Sequence, residues 1–229
     1  FSNDLIEKAK KYNIQGVYIF EEEGPVIIEE GAILKPPTII EGPCFIRKKT
    51  VIDGAKIRSG CSFGENCRIG GEVEASIFIG YSNKHHEGFV GHSYIGEWVN
   101  LGALTTTSDL KNTYGKVKVI LPERGEINTG LMKVGSFIGD HTKTGIGTLL
   151  TTGCTIGVCA NIFGGGVFPK FIPSFSWYDG KEWRTFSVEK AIEIAKRVMP
   201  RRGITPDENY LNLIRKIYEE TKEERFWER

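Results

Sequence analysis

Three histidines, His85, His86 and His92, lie close together in a chain that has only 4 histidines among its 229 residues. Histidine ligates zinc where about three ligands converge, and its unperturbed pKa of about 6.5 also suits proton abstraction near neutrality. Their spacing gives no zinc tripod, and no histidine lies upstream of His85. A histidine general base is therefore favoured, and surface histidines without a role are the alternative.

Composition excludes several other classes of function. The formal net charge of +1 argues against a nucleic-acid-binding protein, in which a strongly basic face is expected. No apolar run is long enough to cross a membrane, and we expect no signal peptide. The 5 cysteines are odd in number and form no C-x-x-C motif. We therefore expect reduced cysteines, no structural metal and a cytoplasmic protein.

The elements that must position the histidines follow from a six-residue repeat. Large apolar residues recur at every sixth position, with two breaks in phase, and only Thr144 among these positions is polar. They are Ile27, Ile33, Ile39, Phe45, Val51, Ile57, Phe63, Ile69, then Phe89, Ile95, Leu101, then Met132, Ile138, Thr144, Leu150, Ile156, Ile162 and Phe168. Neither a helix period nor a strand period produces this pattern.

Two further columns keep the same period. Small residues such as Ala55, Cys61 and Ser93 follow four positions after the apolar residue, and Gly or Asn often follows three positions after it. Gly and Asn tolerate the positive φ of a tight corner. The sequence therefore predicts an all-β fold, a left-handed parallel β-helix of hexapeptide repeats in which three hexads form one triangular coil.

We expect three parts in the chain. Residues 1–26 form an N-terminal helix and linker, residues 27–168 form the β-helix, and residues 169–229 form a C-terminal extension with two helices. The helical patterns cover residues 2–11, 188–199 and about 205–225, and the third begins with the capping sequence Thr205-Pro206-Asp207-Glu208. The two breaks in the repeat predict extruded loops at 75–88 and 107–131, where function is expected.

The repeat resembles that of the hexapeptide acyltransferase superfamily. The segment YSNKHHEGFVGHSYIGEWVNLGALTTTSDLKNTYGKVKV is more specific, and it resembles the acetyltransferase domain of bifunctional enzymes that make UDP-N-acetylglucosamine. The segments GDHTKTGIGTLLTTGCTIGVCANIFGGG and FPKFIPSFSW resemble the variant bacterial and archaeal branch of that family. The resemblance implies a homotrimer, acetyl-CoA as co-substrate, and an N-terminal nucleotidyltransferase domain that is missing from this chain.

The resemblance also assigns candidate site residues. His86 lies at the family's distance from Asn100 of the VNLGA motif, so it is the candidate base, while Asn100 holds the sugar or amine. Arg58 matches the sugar-phosphate arginine, Phe89 matches a family tyrosine, and Lys84 is a substitute for a family lysine that falls near Ser76. Acetyl-CoA contacts are implied for five residues: Ala103, Asp109 (where the family has Asn), Gly145, Ile146 and Gly164.

These residues imply acetyl transfer from acetyl-CoA to the amine of glucosamine-1-phosphate, with no metal. Two alternatives remain open. One is a non-catalytic trimerisation or regulatory β-helix attached to a sugar-1-phosphate nucleotidyltransferase. The other is acetyl transfer to a different amino-sugar phosphate or to a hydroxyl group, because few residues define the identity of the sugar.

Overall fold

The computed structural model describes residues 15–228 and shows a parallel β-solenoid whose short strands stack in sheets along the coil axis. The prediction of a left-handed parallel β-helix with two C-terminal helices is confirmed. The helix predicted over residues 2–11 lies outside the described residues.

The strands are short, as a hexapeptide coil requires. In chain order they are β1 Val17–Phe20, β2 Val26–Ile28, β3 Ile33–Lys35, β4 Thr38–Glu41, β5 Cys44–Ile46, β6 Val51–Ile57, β7 Cys61–Glu65, β8 Arg68–Glu74, β9 Ile77–Gly80, β10 Asn83–Lys84, β11 Phe89–Gly91, β12 Tyr94–Glu97, β13 Thr106–Thr107, β14 Lys118–Leu121, β15 Gly125–Asn128, β16 Phe137–Ile138, β17 Lys143–Thr144, β18 Thr148–Leu150, β19 Thr155–Ile156, β20 Asn161–Phe163, β21 Gly166–Phe168, β22 Phe171–Ile172, β23 Ser176–Asp179 and β24 Trp183–Thr185.

The ladders between coils are parallel. One sheet runs β1-β4-β6-β8-β10, a second runs β2-β5-β7-β9-β12-β16-β19-β22, and a third runs β13-β18-β21. Strands β17-β20-β23-β24 continue the stack, with only β24 antiparallel to its neighbour. Parallel pairing thus reaches from β1 to β23, beyond both expected ends of the β-helix at residues 27 and 168.

The core is a column of stacked side chains. In the first coils, the inward-facing residues lie one position later in the sequence than predicted. Ile57, Phe63 and Ile69 point inward as expected and are fully buried. Before them, however, Ile33 is 50% and Ile39 37% exposed. The residues that join the core cluster there are the next ones along the chain: Ile28, Leu34, Ile40, Ile46 and Ile52. Both members of each pair are apolar, and because successive residues of a strand point to opposite faces, only one of them can enter the core. Met132, also predicted inside, is 44% exposed.

The small-residue column is buried as predicted. Cys61, Cys67 and Cys154 lie in it, and all five cysteines are free and buried. Hydroxyl groups in this column serve the corners: Thr50 Oγ1, for example, donates to the Gly64 carbonyl and accepts from the Cys67 N–H. Corner residues adopt positive φ, with +59° at Gly54 and +59° at Asn66. Packing therefore explains these residues without any chemistry.

The two breaks in the repeat have different structures. The predicted loop at 75–88 is wrong: β9 and β10 are ladder strands within it, so this coil is only shortened. Residues 107–131 do leave the coil after β13, and they carry the antiparallel hairpin β14–β15. The physical reason is that a short deletion can be absorbed at a corner, whereas a longer insertion has to leave the stack.

Two C-terminal helices pack on the side of the solenoid. They are α1 Val188–Val198 and α2 Glu208–Glu220, and 3₁₀ segments cover Met199–Arg202, Lys222–Glu224 and Phe226–Glu228. The N-cap of α2 is Asp207, whose carboxylate accepts from the Tyr210 N–H at 2.8 Å, so the cap lies two residues after the expected Thr205. No helix within residues 15–228 has the length and apolarity that spanning a membrane requires.

Candidate active site

A cleft of about 540 Å³ brings together four of the residues singled out in the sequence: His86, Asn100, Ala103 and Ile146. Other cleft residues are Arg68, Asn83, His85, Leu101, Gly102 and Arg202. The cleft lies where the shortened coil, the VNLGA coil and the 3₁₀ segment after α1 meet. None of the lining residues is acidic, so the cleft favours a neutral or anionic ligand.

Hydrogen bonds from the buried Lys84 side chain hold the turn that carries His86. Lys84 pairs with Ile69 in the ladder, so its side chain occupies a core position and is only 2% exposed. Its Nζ donates to the carbonyls of Gly70 at 2.9 Å and His86 at 2.7 Å, and burial lowers the pKa of Lys84 to about 8. The prediction that Lys84 binds substrate is therefore wrong, because a side chain enclosed in the core cannot reach a ligand in the cleft.

The imidazole of His86 is exposed, and its ring lies 5.2 Å from the ring of His85. Among residues 15–228 no side chain forms a hydrogen bond to it. His85 instead contacts Asp53 at 3.2 Å. The His86 ring is thus open to a ligand, while its main chain is held in place.

Asn100 stands in an outward-facing column of polar side chains. In the ladder it lies between Asn83 and Lys143. Asn83 Nδ2 donates to Asn100 Oδ1 at 3.2 Å, and Arg202 Nη2 donates to Asn83 Oδ1 at 3.0 Å. The Asn100 Nδ2 group has no acceptor among the described residues, so it can donate to a ligand.

The corner after Asn100 supplies a free backbone donor. The Ala103 carbonyl accepts from the Gly147 N–H at 2.9 Å, but the Ala103 N–H has no acceptor within residues 15–228. A Cβ at Gly102 would lie 2.6 Å from the Gly145 carbonyl carbon, so this corner requires glycine. An unpaired N–H on the wall of a cleft is suited to an oxyanion.

The residues implied for acetyl-CoA are only partly brought together. Ile146 lines the cleft and is 74% exposed. Gly145 packs against Gly102 of the adjacent coil, and Gly164, with φ of +108°, packs against Gly180 of the coil that follows it. Neither glycine lines the cleft itself.

Arg58, Phe89 and Asp109 do not line this cleft. Arg58 Nε donates to Glu72 at 2.9 Å, and Arg58 also lies 3.9 Å from Glu41, so its charge is already neutralised. Asp109 accepts from His92 Nδ1 at 2.7 Å, and the half-buried Phe89 lies near this pair, beside Gly91. The structure therefore gives none of the three a direct place beside His86.

Sequence reasoning missed the His92–Asp109 pair, which lies outside the cleft, and the approach of Arg202 to the cleft. The His92–Asp109 pair joins residues 17 positions apart, which is close to one coil, so coil spacing would have predicted it. The approach of Arg202 to Asn83 had no such signal, because it depends on how the C-terminal helices dock. Within residues 15–228, His, Cys, Asp and Glu side chains form no cluster of three or more that could hold a metal ion.

Comparisons with known proteins agree with the sequence motifs. The chain is 38% identical over 148 residues to the bifunctional sugar-1-phosphate nucleotidylyltransferase/acetyltransferase of Sulfurisphaera tokodaii, which covers 63% of this chain and 37% of that protein. It is 40% identical over 150 residues to the bifunctional protein GlmU of Methanocaldococcus jannaschii, covering 59% of this chain and 33% of that protein. The chain thus spans about a third of the length of these relatives.

No family model matches the chain. Among solved structures, a putative acetyltransferase of Bacillus cereus superposes with a TM-score of 0.43 at 13% identity, covering 86% of this chain and 94% of that one. That likeness is too weak to bear on function. The matches to curated relatives confirm the recognition made from the motifs: the chain is similar to the C-terminal region of bifunctional sugar-1-phosphate nucleotidyltransferase/acetyltransferases.

Proposed function

We propose that this chain transfers an acetyl group from acetyl-CoA to the amine of glucosamine-1-phosphate, a step in UDP-N-acetylglucosamine biosynthesis. The observation that carries the proposal is the convergence of His86, Asn100 and the unpaired Ala103 N–H on one cleft. The relatives named above as acetyltransferases support the type of reaction.

Each group has a role in this reaction. The Asn100 amide holds the acceptor, and His86 removes a proton from its amine as the nitrogen attacks the thioester carbonyl. The Ala103 N–H stabilises the negative charge on that carbonyl oxygen in the tetrahedral intermediate. The C–S bond then breaks, the coenzyme A thiolate leaves and takes the proton that His86 had removed, and the amide product remains. No covalent enzyme intermediate is formed.

The assembly is part of the proposal. The chain acts as a cytoplasmic homotrimer, and in the whole protein an N-terminal nucleotidyltransferase domain precedes it, as the names and lengths of the curated relatives suggest. Two other functions compete: a non-catalytic trimerisation module, and transfer to another amino-sugar phosphate.

The test is an assay of the purified chain with acetyl-CoA and a panel of amino-sugar phosphates, in which free thiol is followed. Rapid thiol release with glucosamine-1-phosphate is expected. Faster thiol release with a different amino-sugar phosphate would identify that sugar as the acceptor. No thiol release with any of them would favour the non-catalytic module. Asn100→Ala is a matched variant that should lose most of the release.

A further inference from the structure

Three arginines gather around the polar column next to His86. Arg68 and Arg202 line the cleft, while Arg201 and Arg202 line an adjoining cavity of about 290 Å³. The two cavities share Asn83, Asn100 and Arg202. We call Arg68, Arg201 and Arg202 the arginine cluster.

The arginine cluster is not neutralised by the rest of the described chain. Elsewhere, Arg47, Arg58, Arg184, Arg215 and Arg225 each form an ion pair with a carboxylate. Within residues 15–228 the cluster arginines form none, and no acidic residue lines either cavity. The positive charge at this place is therefore available to a ligand.

Two of these arginines are held in position by neutral partners. Arg68 Nη1 donates to the carbonyls of Lys49 and Cys67, both at 2.9 Å. Arg202 Nη2 donates to Asn83 Oδ1 at 3.0 Å. Burial lowers the pKa of both groups, and the charge of Arg68 lowers that of Arg202 further. Keeping two partly desolvated cations close together costs free energy, and a bound anion would offset that cost.

We propose that Arg68 and Arg202 bind the phosphate group of the acceptor, an inference that rests on the proposed acetyl transfer. Guanidinium groups match phosphate geometry with paired hydrogen bonds. Asn83 and Asn100 are neighbours in the ladder, so a phosphate at Arg202 leaves the sugar beside Asn100 and its amine towards His86. Arg68 and Arg202 thus take the phosphate-binding role that the family resemblance implied for Arg58, because Arg58 is already paired with Glu72.

Steady-state kinetics of Arg202→Ala and Arg68→Ala test the assignment. Each should raise the KM for glucosamine-1-phosphate roughly 10- to 100-fold, as expected for loss of a charge-assisted contact, while the KM for acetyl-CoA stays within about twofold. Arg202→Lys should recover part of the loss. Arg197→Ala, an exposed arginine of α1 that lines neither cavity, is the matched control and should behave as wild type.

Coenzyme A also carries phosphate groups, so a second set of measurements tests whether the arginines bind coenzyme A instead of the acceptor. A variant that raises the KM for acetyl-CoA but not for the acceptor, and no longer distinguishes acetyl-CoA from its 3′-dephospho form, would overturn the assignment. So would unchanged KM values for both substrates. Arg68 lies in the solenoid, so its variant still tests the site if Arg202→Ala loosens the C-terminal helices.

Calorimetric binding separates failure of this site from failure of the proposed function. Wild type should bind glucosamine-1-phosphate more tightly than glucosamine, and both arginine variants should lose that difference. If wild type shows this preference but no acetyl transfer, the phosphate site stands and the acceptor chemistry is wrong. If glucosamine and its phosphate bind equally well, the phosphate site is wrong.

Discussion

At the residue scale, the structure separates three histidines of the same chemistry by their surroundings. His86 is exposed in the cleft and has no side-chain hydrogen-bond partner among residues 15–228, His85 contacts Asp53, and His92 is held by Asp109 at 2.7 Å. If His86 is the base, His86→Ala should lower kcat roughly 10²- to 10⁴-fold. Acetyl-CoA binding and the melting temperature should hardly change, because the side chain belongs to an exposed turn.

His85→Ala and His92→Ala are the matched controls, and stopped-assay kinetics on all three variants is the measurement. Both controls should keep most of the wild-type kcat. The opposite pattern, a large loss in His92→Ala with near-normal turnover in His86→Ala, would move the base to the carboxylate-oriented His92.

Lys84 makes a separate prediction about pH. Because burial lowers its pKa to about 8 in the folded chain, and an unfolded lysine titrates near 10.4, the unfolded state binds more protons between these values. The free energy of unfolding contributed by Lys84 should therefore rise with pH from about 8 to 10. In Lys84→Met this rise should shrink, and kcat should fall because the His86 carbonyl loses its donor.

Urea denaturation at pH 7, 8 and 9 measures the difference between wild type and Lys84→Met. Desolvation also lowers the pKa of the half-buried Lys143 to about 8, so only the difference between the two proteins is informative. Lys116→Met, at an exposed lysine, is the control and should leave the pH dependence unchanged. Parallel pH curves for wild type and Lys84→Met would contradict the prediction.

At the element scale, an apolar cluster and a buried polar contact join the C-terminal helices to the solenoid. Ala191, Ile192 and Leu211 pack against Trp98 and Phe175 of the coils. Within that interface, His141 Nε2 and the Tyr210 hydroxyl are 2.7 Å apart. The docked helices carry the segment with Arg202 to the cleft, so their attachment bears directly on the site.

Tyr210→Phe should destabilise the protein by about 1–3 kcal/mol, because a buried imidazole would lose its hydrogen-bond partner. His141 Nδ1 has no hydrogen-bond partner among the described residues. The variant would therefore leave both ring nitrogens of His141 without a partner there. Thermal denaturation is the measurement. Tyr218→Phe is the control on the same helix, since its ring packs on Phe175 but no hydrogen bond of its hydroxyl is found within residues 15–228. Equal melting temperatures for Tyr210→Phe and Tyr218→Phe would contradict the expected contribution of the His141–Tyr210 hydrogen bond.

At the scale of the whole molecule, an apolar stripe follows one sheet of the solenoid. Ile77, Tyr94 and Phe137 are direct neighbours on β9, β12 and β16, and they are 45%, 44% and 40% exposed. A flat stripe of this kind is suited to contact with further copies of the chain. The family resemblance implies a homotrimer, and we expect this stripe to lie in its interface.

Tyr94→Glu should shift the assembly towards the monomer, because a charge would be buried at the centre of the stripe. Light scattering at several protein concentrations is the measurement. Leu213→Glu, at an exposed position of α2, is the control and should remain trimeric. A wild-type chain that is active at its monomer mass of 25.6 kDa would contradict the expected assembly.

The sequence by itself determined the coil, because a six-residue period and buried small residues at the corners leave little choice of fold. The family resemblance singled out His86, Asn100, Ala103 and Ile146 from the sequence, and in the folded chain these four residues line one cleft. Near residues 27–52, however, two adjacent columns are apolar, and only packing decided that Ile28 and its successors enter the core.

The tertiary structure also decided what lies around the cleft. The core position of Lys84 followed from the shortened coil, which no local pattern revealed. Arg202 reaches Asn83 across 119 residues of sequence, and that contact depends on how the helices dock on the coils. A repeat encodes contacts between neighbouring coils, whereas the approach of a distant segment depends on the fit of two finished surfaces. That is why the arginine cluster could be found only in three dimensions.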